Sequence, residues 1–373
     1  MIGGPHRRFS AEAMLARIRP MMGQMGITRV GVLTGLDSVG IPVAAAYRPN
    51  SCSIAVHQGK GQTLAAAKVS AVMEAVECWH AETADLPLRL ADAREIARHG
   101  DAVDLMALPH TGDGDPATER LLWTEARDAL SGRPIWVPFE LVSADFTAPA
   151  PAGFGLFRQT TNGLAAGGTQ PEAELQGVCE AVERDAVARW HAAPERQAAC
   201  CVDPGSVHGP ASRWLLGRFA EAGVAVRVWD ITSNIGVPVF IALASDADGV
   251  AGVEPELGAG CHLSADTALA RALAEAAQAR VTRISGARDD FPPASFDPSA
   301  RGQRHAAAQR LLRMTPRLTF RHTAGGASTE ADRDAALGML RRAGIRAVAC
   351  VDLSRADIGV AVARVIVPGL ANA

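Results

Sequence analysis

Three stretches of this chain share one spacing. Gly61-Gln62-Thr63 is followed, eleven residues after the threonine, by Glu74-Ala75-Val76-Glu77, and Gly167-Gly168-Thr169 is followed at the same distance by Glu180-Ala181-Val182-Glu183. Gly260-Cys261-His262-Leu263-Ser264 leads, again after eleven residues, to Glu275-Ala276-Ala277-Gln278. A threonine or serine behind a glycine-bearing turn suits a helix N-cap, and the acids then fall in the fourth turn of the helix it opens. A distance kept in three copies points to one supersecondary unit used three times. Positions i, i+3 and i+4 lie on one helical face, so three polar stripes follow: Ser70, Glu74, Glu77; Gln176, Glu180, Glu183 with Arg184; and Arg271, Glu275, Gln278.

Around the stripes the helices are largely apolar. From Leu64 to Trp79 only Lys68, Ser70, Glu74 and Glu77 are polar or charged. Such a helix is buried nearly all round, and burying an unpaired carboxylate is very costly. Something cationic must meet these acids. Arginines of the same helices, Arg184, Arg271 or Arg280, are one source; a metal ion is the other. Clustered carboxylates suit Mg2+, which takes one or two of them together with phosphate oxygens. Glycine-bearing loops before helix N-termini suit phosphate, because free N–H groups and the positive dipole end point outward there. Metal and phosphate together imply a nucleotide. Of 37 cationic side chains only Lys60 and Lys68 are lysines, and Lys60, between Gly59 and Gly61, is a candidate point charge for a phosphate. The loop is not a Walker A motif, since Ile54 stands where its first glycine belongs.

The remaining sequence bounds the fold. At 373 residues and 48% hydrophobic composition the chain can bury a sizeable core, and the length suggests two to three domains or one large one. A net charge of -3 with mixed signs leaves no basic footprint for nucleic acid. No run of about 18 apolar residues is present to span a bilayer, and the first eight residues lack the apolar stretch of a signal peptide, so a soluble, cytoplasmic protein is expected. Seven cysteines with no C-x-x-C pair argue against a zinc site or a disulfide framework. An amphipathic helix is expected after Ser10, long helices over 63–82, 171–191 and 264–284, and strands between them, which makes the class mixed α/β, or α+β. The stretch 147–157, rich in Ala, Pro and Gly, reads as a linker, and 288–304 as an Arg-rich loop. His57, His80, His191 and His262 lie near the repeats, and each is a candidate general base.

With these residues in view, the chain resembles the YcaO family. The resemblance runs from about Arg29 to Leu370 and rests on Thr34-Gly35-Leu36-Asp37-Ser38-Val39-Gly40-Ile41-Pro42-Val43, Gly59-Lys60-Gly61, the S-x3-E-x2-E of Ser70 to Glu77, Asn162-Gly163-Leu164-Ala165-Ala166-Gly167, the E-x2-E-R-D of Glu180 to Asp185, Glu275-x-x-Gln278-x-Arg280, and Gly286-Ala287-Arg288-Asp289-Asp290. It implies residues 1–28 as an N-terminal docking helix before a YcaO domain over 29–373, with a nucleotide fold of repeated loop–helix units and no Walker motif. It also implies ATP and Mg2+ as cofactors and a reaction in which ATP activates a peptide backbone amide. Carried over by position, Glu74, Glu77, Glu180 and Glu183 match the acids that hold Mg-ATP. Ser70 and Arg184 match neighbouring phosphate or ribose contacts, Gln278 and Arg280 the third helix's contribution, and Glu172 a further acid near the nucleotide. Two positions depart: Cys78 stands where an Arg often follows the first acid pair, and Gly168 where many members have Asn.

The ending Val367-Pro368-Gly369-Leu370 lacks the Pro-x-Pro-x-Pro that resembles azoline-forming cyclodehydratases, and only about 28 residues precede the core, so a separate protein is expected to deliver the substrate. This is similar to YcaO proteins that work with a TfuA partner, which implies thioamide formation on a peptide or protein, with external sulfide. Azoline formation with a separate leader-binding partner is the alternative, and a nucleotide-binding accessory subunit without chemistry is a third. A homodimer is implied by the resemblance alone.

Overall fold

Small residues at regular intervals let helices lie very close to strands in this chain, and that closeness organises the fold. The structure, a computed structural model, describes residues 6–112, 114–246, 254–288, 290 and 293–371. Residues 1–5 and Asp289 of the Gly286–Asp290 motif lie outside the described residues.

In chain order the elements are α1 (Ala11–Ile18), β1 (Arg29–Val32), β2 (Val43–Tyr47), β3 (Val56–Lys60), α2 (Leu64–Glu82), β4 (Arg89–Ala91), α3 (Ala93–Ile96), β5 (Leu121–Asp128), β6 (Pro134–Pro138), β7 (Leu164–Gly167) and α4 (Gln170–Ala192). There follow β8 (Cys201–Val202), α5 (Pro210–Glu221), β9 (Val224–Asp230), β10 (Val239–Asp246), β11 (Glu256–Cys261), α6 (Ala265–Ser285), α7 (Pro298–Leu312), α8 (Thr329–Arg342), β12 (Ala349–Asp352) and β13 (Ala361–Ile366). The expected helix after Ser10 is α1, capped by the Ser10 hydroxyl, which accepts from the Ala13 N–H at 3.1 Å. Helix α7 begins inside the loop expected over 288–304 and takes up its last seven residues.

The chain forms two compact units, one of Met1–Pro49, Ile54–Ala75 and Ala186–Gly326, the other of Asn50–Ser53, Val76–Asp185 and Ala327–Ala373. The stretch 147–157, expected as a linker, lies with both its flanks in the second unit. The first unit holds two antiparallel sheets, ordered β1-β2-β3 and β11-β10-β9-β8. On one side α6 buries Ala268, Leu269, Leu273 and Ala276 with Leu215 and Phe219 of α5 and with Val228, Phe240 and Ala242. Its Val281 joins Leu33, Val43, Ala45 and Val56 of the three-stranded sheet. A helix with apolar neighbours on two sides needs small residues nearly all round, which is why α6 is so rich in alanine. The second unit holds a six-stranded antiparallel sheet, ordered β4-β5-β12-β13-β7, with β6 on β5. Trp123 is fully buried there, and its indole N–H donates to the Ala91 carbonyl at 2.9 Å.

The repeat becomes legible as strand, turn and helix: β3 with α2, β7 with α4, β11 with α6. Its glycines divide between the turns, where Gly61 and Gly168 precede the helices, and the strands. Gly59 lies within β3, Gly167 ends β7, and Gly258 and Gly260 lie within β11. A Cβ on Gly59 would come within 2.0 Å of the Ala71 N and 2.4 Å of the Ala67 O. One on Gly258 would meet the Ala276 N at 2.2 Å, and one on Gly260 the Ala268 O at 2.1 Å. These glycines are there because a helix backbone lies directly against the strand.

Candidate nucleotide site

Each repeat helix keeps a partly open line through its middle, and most of the predicted stripe falls on it. On α2 the half-buried positions include Ser70, Glu74 and Glu77; on α4 they include Gln176, Glu180 and Arg184; on α6, Arg271, Glu275 and Gln278. Carboxylates on such a line are shielded enough to bind strongly and open enough to be reached.

In the first unit the α6 stripe is bonded largely within the protein. Lys60, the last residue of β3, donates to Glu275 Oε2 at 2.9 Å. The Gln278 amide donates to the Gln58 carbonyl at 3.3 Å, and the Arg271 guanidinium to the Cys261 carbonyl at 2.9 Å. Arg280 is 1% exposed and donates to both oxygens of Asp37, at 2.8 and 3.0 Å, and to both of Asp246, at 3.2 and 3.4 Å. In this structure two carboxylates take the donors of Arg280, which anchors the Thr34–Leu36 turn and β10 to α6. Among the described residues no group hydrogen-bonds to Gln278 Oε1 or Gln58 Nε2, although both are buried.

In the second unit the acids have lighter company. Glu77 Oε1 accepts from the Ala166 N–H at 2.7 Å, on the edge strand β7. Arg184 lies 3.8 Å from Glu180 and 3.6 Å from Glu183, the long end of ion-pair range. Those two carboxylate side chains are 21% and 10% exposed. Glu172 Oε2 accepts from the Gly168 N–H at 2.8 Å, so it closes the turn that opens α4, with the Thr169 hydroxyl accepting from Glu172 N at 3.4 Å. Asp185, after Arg184, is fully buried and accepts from the Ala371 N–H at 2.9 Å.

The histidines divide by burial. His57, His80 and His262 are buried, while His191 is exposed. The His80 Nδ1–H donates to the Val76 carbonyl at 2.7 Å, a bond to its own helix. Burial holds the His262 pKa down at about 3, helped by the charges of Arg271, Arg7 and His6, and its Nδ1 accepts from the Ser264 N–H at 3.0 Å. All seven cysteines stand outside any disulfide, and burial drives Cys350 up to about 12, so it is no nucleophile at neutral pH.

Among the described residues no three His, Cys, Asp or Glu side chains are grouped so as to hold a metal by themselves. Carboxylates in pairs, such as Glu180 and Glu183 on α4, are hard oxygen donors of the kind Mg2+ takes when phosphate completes its shell. The donor set thus fits a metal that arrives with a nucleotide. The sequence profile of the YcaO cyclodehydratases, described as binding ATP and Mg2+, matches residues 58–371. This chain is a YcaO protein. It is 37% identical over 385 residues, covering 98% of this chain and 88% of the other, to an uncharacterised protein from the tfuA 3' region of Rhizobium leguminosarum bv. trifolii. The YcaO structure from Methanopyrus kandleri bound with AMPPCP and Mg2+ superposes with a TM-score of 0.77 at 25% identity, covering 98% of this chain and 92% of that one. A heterocyclase in complex with substrate and cofactor shares the fold, with a TM-score of 0.78 at 22% identity; this YcaO chain covers 53% of it, about half its length. The mixed α/β fold, the family, and ATP with Mg2+ as the family's cofactors therefore stand. No helix among the described residues is long and apolar enough to cross a membrane.

Two features escaped sequence reasoning. The pairing of Lys60 with Glu275 joins residues 215 positions apart, which no local pattern announces. Arg364 is a buried guanidinium on β13; its signal is a lone charge in the apolar run Ala361–Ile366.

Proposed function

We propose that this YcaO protein uses Mg-ATP to activate a backbone amide of a peptide or protein, and that with a TfuA-type partner and external sulfide it forms a thioamide. The observation that carries the thioamide reading is the 37% identity to a protein from a tfuA region. All four acids, Glu74, Glu77, Glu180 and Glu183, are retained. In this reading they hold the metal, and Ser70, Arg184, Lys60 and Gln278 face the nucleotide. Glu172 and Arg280 act from behind, the first by fixing the turn at Gly168 and the second by fixing α6. Bound Mg2+ would neutralise the phosphate charge that builds up during transfer.

The chemistry balances without a redox partner. Hydrosulfide adds to the amide carbon, forming C–S and placing the electron pair on oxygen. That oxyanion takes the γ-phosphoryl group of ATP, with ADP leaving. The C–O bond then breaks, phosphate departs with the former carbonyl oxygen, and loss of the S–H proton leaves C=S. An amide oxygen is a very poor leaving group, and phosphorylation removes that obstacle by positioning and charge neutralisation.

The family's description as cyclodehydratases favours a second reading, in which an adjacent Cys, Ser or Thr side chain is the nucleophile and the product is an azoline. Mass spectrometry of a substrate peptide incubated with the protein, ATP, Mg2+, sulfide and partner separates the two. A gain of about 16 Da is O-to-S exchange and a loss of about 18 Da is dehydration, as follows from replacing or removing the activated oxygen. ATP that binds but is never turned over with any peptide would leave the accessory-subunit reading standing instead.

A further inference from the structure

Strand β7 ends its sheet, so half of its main-chain N–H groups have no strand to bond. Val365 donates to the Gly163 carbonyl at 2.8 Å, and antiparallel pairs alternate, so Ala165 bonds toward β13 while Leu164 and Ala166 turn their N–H groups outward. Leu164 bonds back to the Thr161 carbonyl at 3.0 Å. The next two outward donors meet acids instead: Ala166 donates to Glu77 Oε1 at 2.7 Å, and Gly168, just past the strand, to Glu172 Oε2 at 2.8 Å. An edge built from Ala and Gly has no long side chain to keep a carboxylate away from the main chain.

The third copy of the repeat shows what such an edge does with an acid. Strand β11 also ends its sheet. His262 donates to the Pro238 carbonyl at 3.2 Å, so by the same alternation Ala259 faces outward, and its N–H donates to Glu275 Oε1 at 3.5 Å. Glu275 Oε2 accepts from the Lys60 ammonium at 2.9 Å. One oxygen of the carboxylate thus lies on a strand edge, and the other on a cation.

We propose that the main-chain N–H of Ala166 is a positioning group that fixes Glu77 by Oε1 and so offers Oε2 to Mg2+, as Glu275 offers its own to Lys60. The proposal rests on the Mg-ATP reading above. Carboxylates that ligate metals are themselves oriented by outer hydrogen bonds, and losing one such bond typically costs 10- to 100-fold in metal affinity. A main-chain donor on a sheet edge does this without a side chain that could turn away. Glu172, by taking the Gly168 N–H, holds the end of the same edge in place.

Proline tests this directly, because at an outward-facing edge position it removes the N–H without breaking a bond of the ladder. The full chain is compared with Ala166→Pro, Ala166→Ser, Glu77→Ala and Ala166→Pro/Glu77→Ala, and AMPPCP binding is measured by calorimetry with Mg2+ and with EDTA. Ala166→Pro is expected to weaken AMPPCP about tenfold or more when Mg2+ is present and by no more than about twofold in EDTA. Ala166→Ser keeps the N–H and should stay within about threefold of wild type, and in the Glu77→Ala background the proline should cost no more than about twofold further. The proposal is overturned if Ala166→Pro binds AMPPCP with Mg2+ within about twofold of wild type, if it loses AMPPCP equally with and without metal, or if its full loss persists in Glu77→Ala. Should Ala166→Pro not fold, hydrogen exchange of the wild-type amides over 164–168 decides. Exchange slower with Mg-AMPPCP than with AMPPCP in EDTA is expected, and equal or faster exchange means that Glu77 leaves Ala166 for the metal, which overturns the proposal. Wild-type protein that fails to bind AMPPCP with Mg2+ refutes the Mg-ATP reading itself, an outcome distinct from any failure of the variants.

Discussion

The second and third copies of the repeat share a spacing and differ in use. On α6 the acid Glu275 is paired with Lys60, Gln278 replaces a carboxylate and bonds to the Gln58 carbonyl, and Arg280 is closed between Asp37 and Asp246. On α4 the carboxylates of Glu180 and Glu183 remain partly exposed, with Arg184 at 3.6 to 3.8 Å. The same geometry thus serves as internal bracing in one copy and as an open oxygen-donor line in the other. Spacing identifies the unit; only the partners of each side chain show which task a copy has.

This contrast can be broken at its strongest point first. Arg280→Met would leave the buried Asp37 carboxylate and the partly buried Asp246 carboxylate without their cation, at a cost of about 3–5 kcal/mol in folding stability. Urea unfolding measures it, and a variant as stable as wild type would show that the third copy does not brace the fold. Next in size, Glu183→Gln should lower peptide-dependent phosphate release by about 10²-fold or more, while shifting unfolding by no more than about 1 kcal/mol. A loss of activity matched by a collapse of stability would put α4 in the same class as α6.

The turns differ as well, and pH reads the difference. His262 fills the turn before α6, whereas Gly168 and Glu172 close the turn before α4. His262 has a folded pKa near 3, against about 6.5 when unfolded, so the unfolded chain binds the extra proton between these values. Stability is therefore full above pH 6.5 and is lost as the pH falls from there toward 3, at up to about 1.4 kcal/mol per pH unit. Between pH 7.5 and 5.0 this group should account for about 2 kcal/mol, and His262→Gln should flatten that part of the unfolding profile. Smallest in stability is Lys60→Met. Its pair with Glu275 is 21% and 29% exposed, worth no more than about 1 kcal/mol. Its value lies in AMPPCP affinity: a fall of about tenfold would mean that Lys60 turns from Glu275 to phosphate, and unchanged affinity would confine it to bracing.

Much of this was legible in the sequence because it is local. Helical period and N-caps placed α2, α4 and α6 to within a residue or two of their ends, and the stripes fell on half-buried residues, apart from the buried Glu183. Strands β7 and β11 were hidden, since Leu164–Gly167 and Glu256–Cys261 are built largely from Gly and Ala, which strands ordinarily avoid. Helix α7 was hidden for the opposite reason: Pro298–Leu312 has little apolar periodicity and many arginines. The engagement of Arg280 with Asp37 and Asp246 was invisible, because the carboxylates come from 243 and 34 positions away.

The contact between strand and helix also sets how freely this chain can vary. Every residue other than glycine carries a Cβ, and at Gly59, Gly258 and Gly260 that atom would sit 2.0 to 2.2 Å from helix backbone. Backbone cannot swing aside as a long side chain can. In a saturation library these three columns should therefore be nearly empty whatever the assay, including assays blind to ATP. Positions along the stripes should instead thin out only when activity is selected. Comparing the two selections would map which glycines and acids are demanded by folding and which by chemistry, even while the substrate is still to be found.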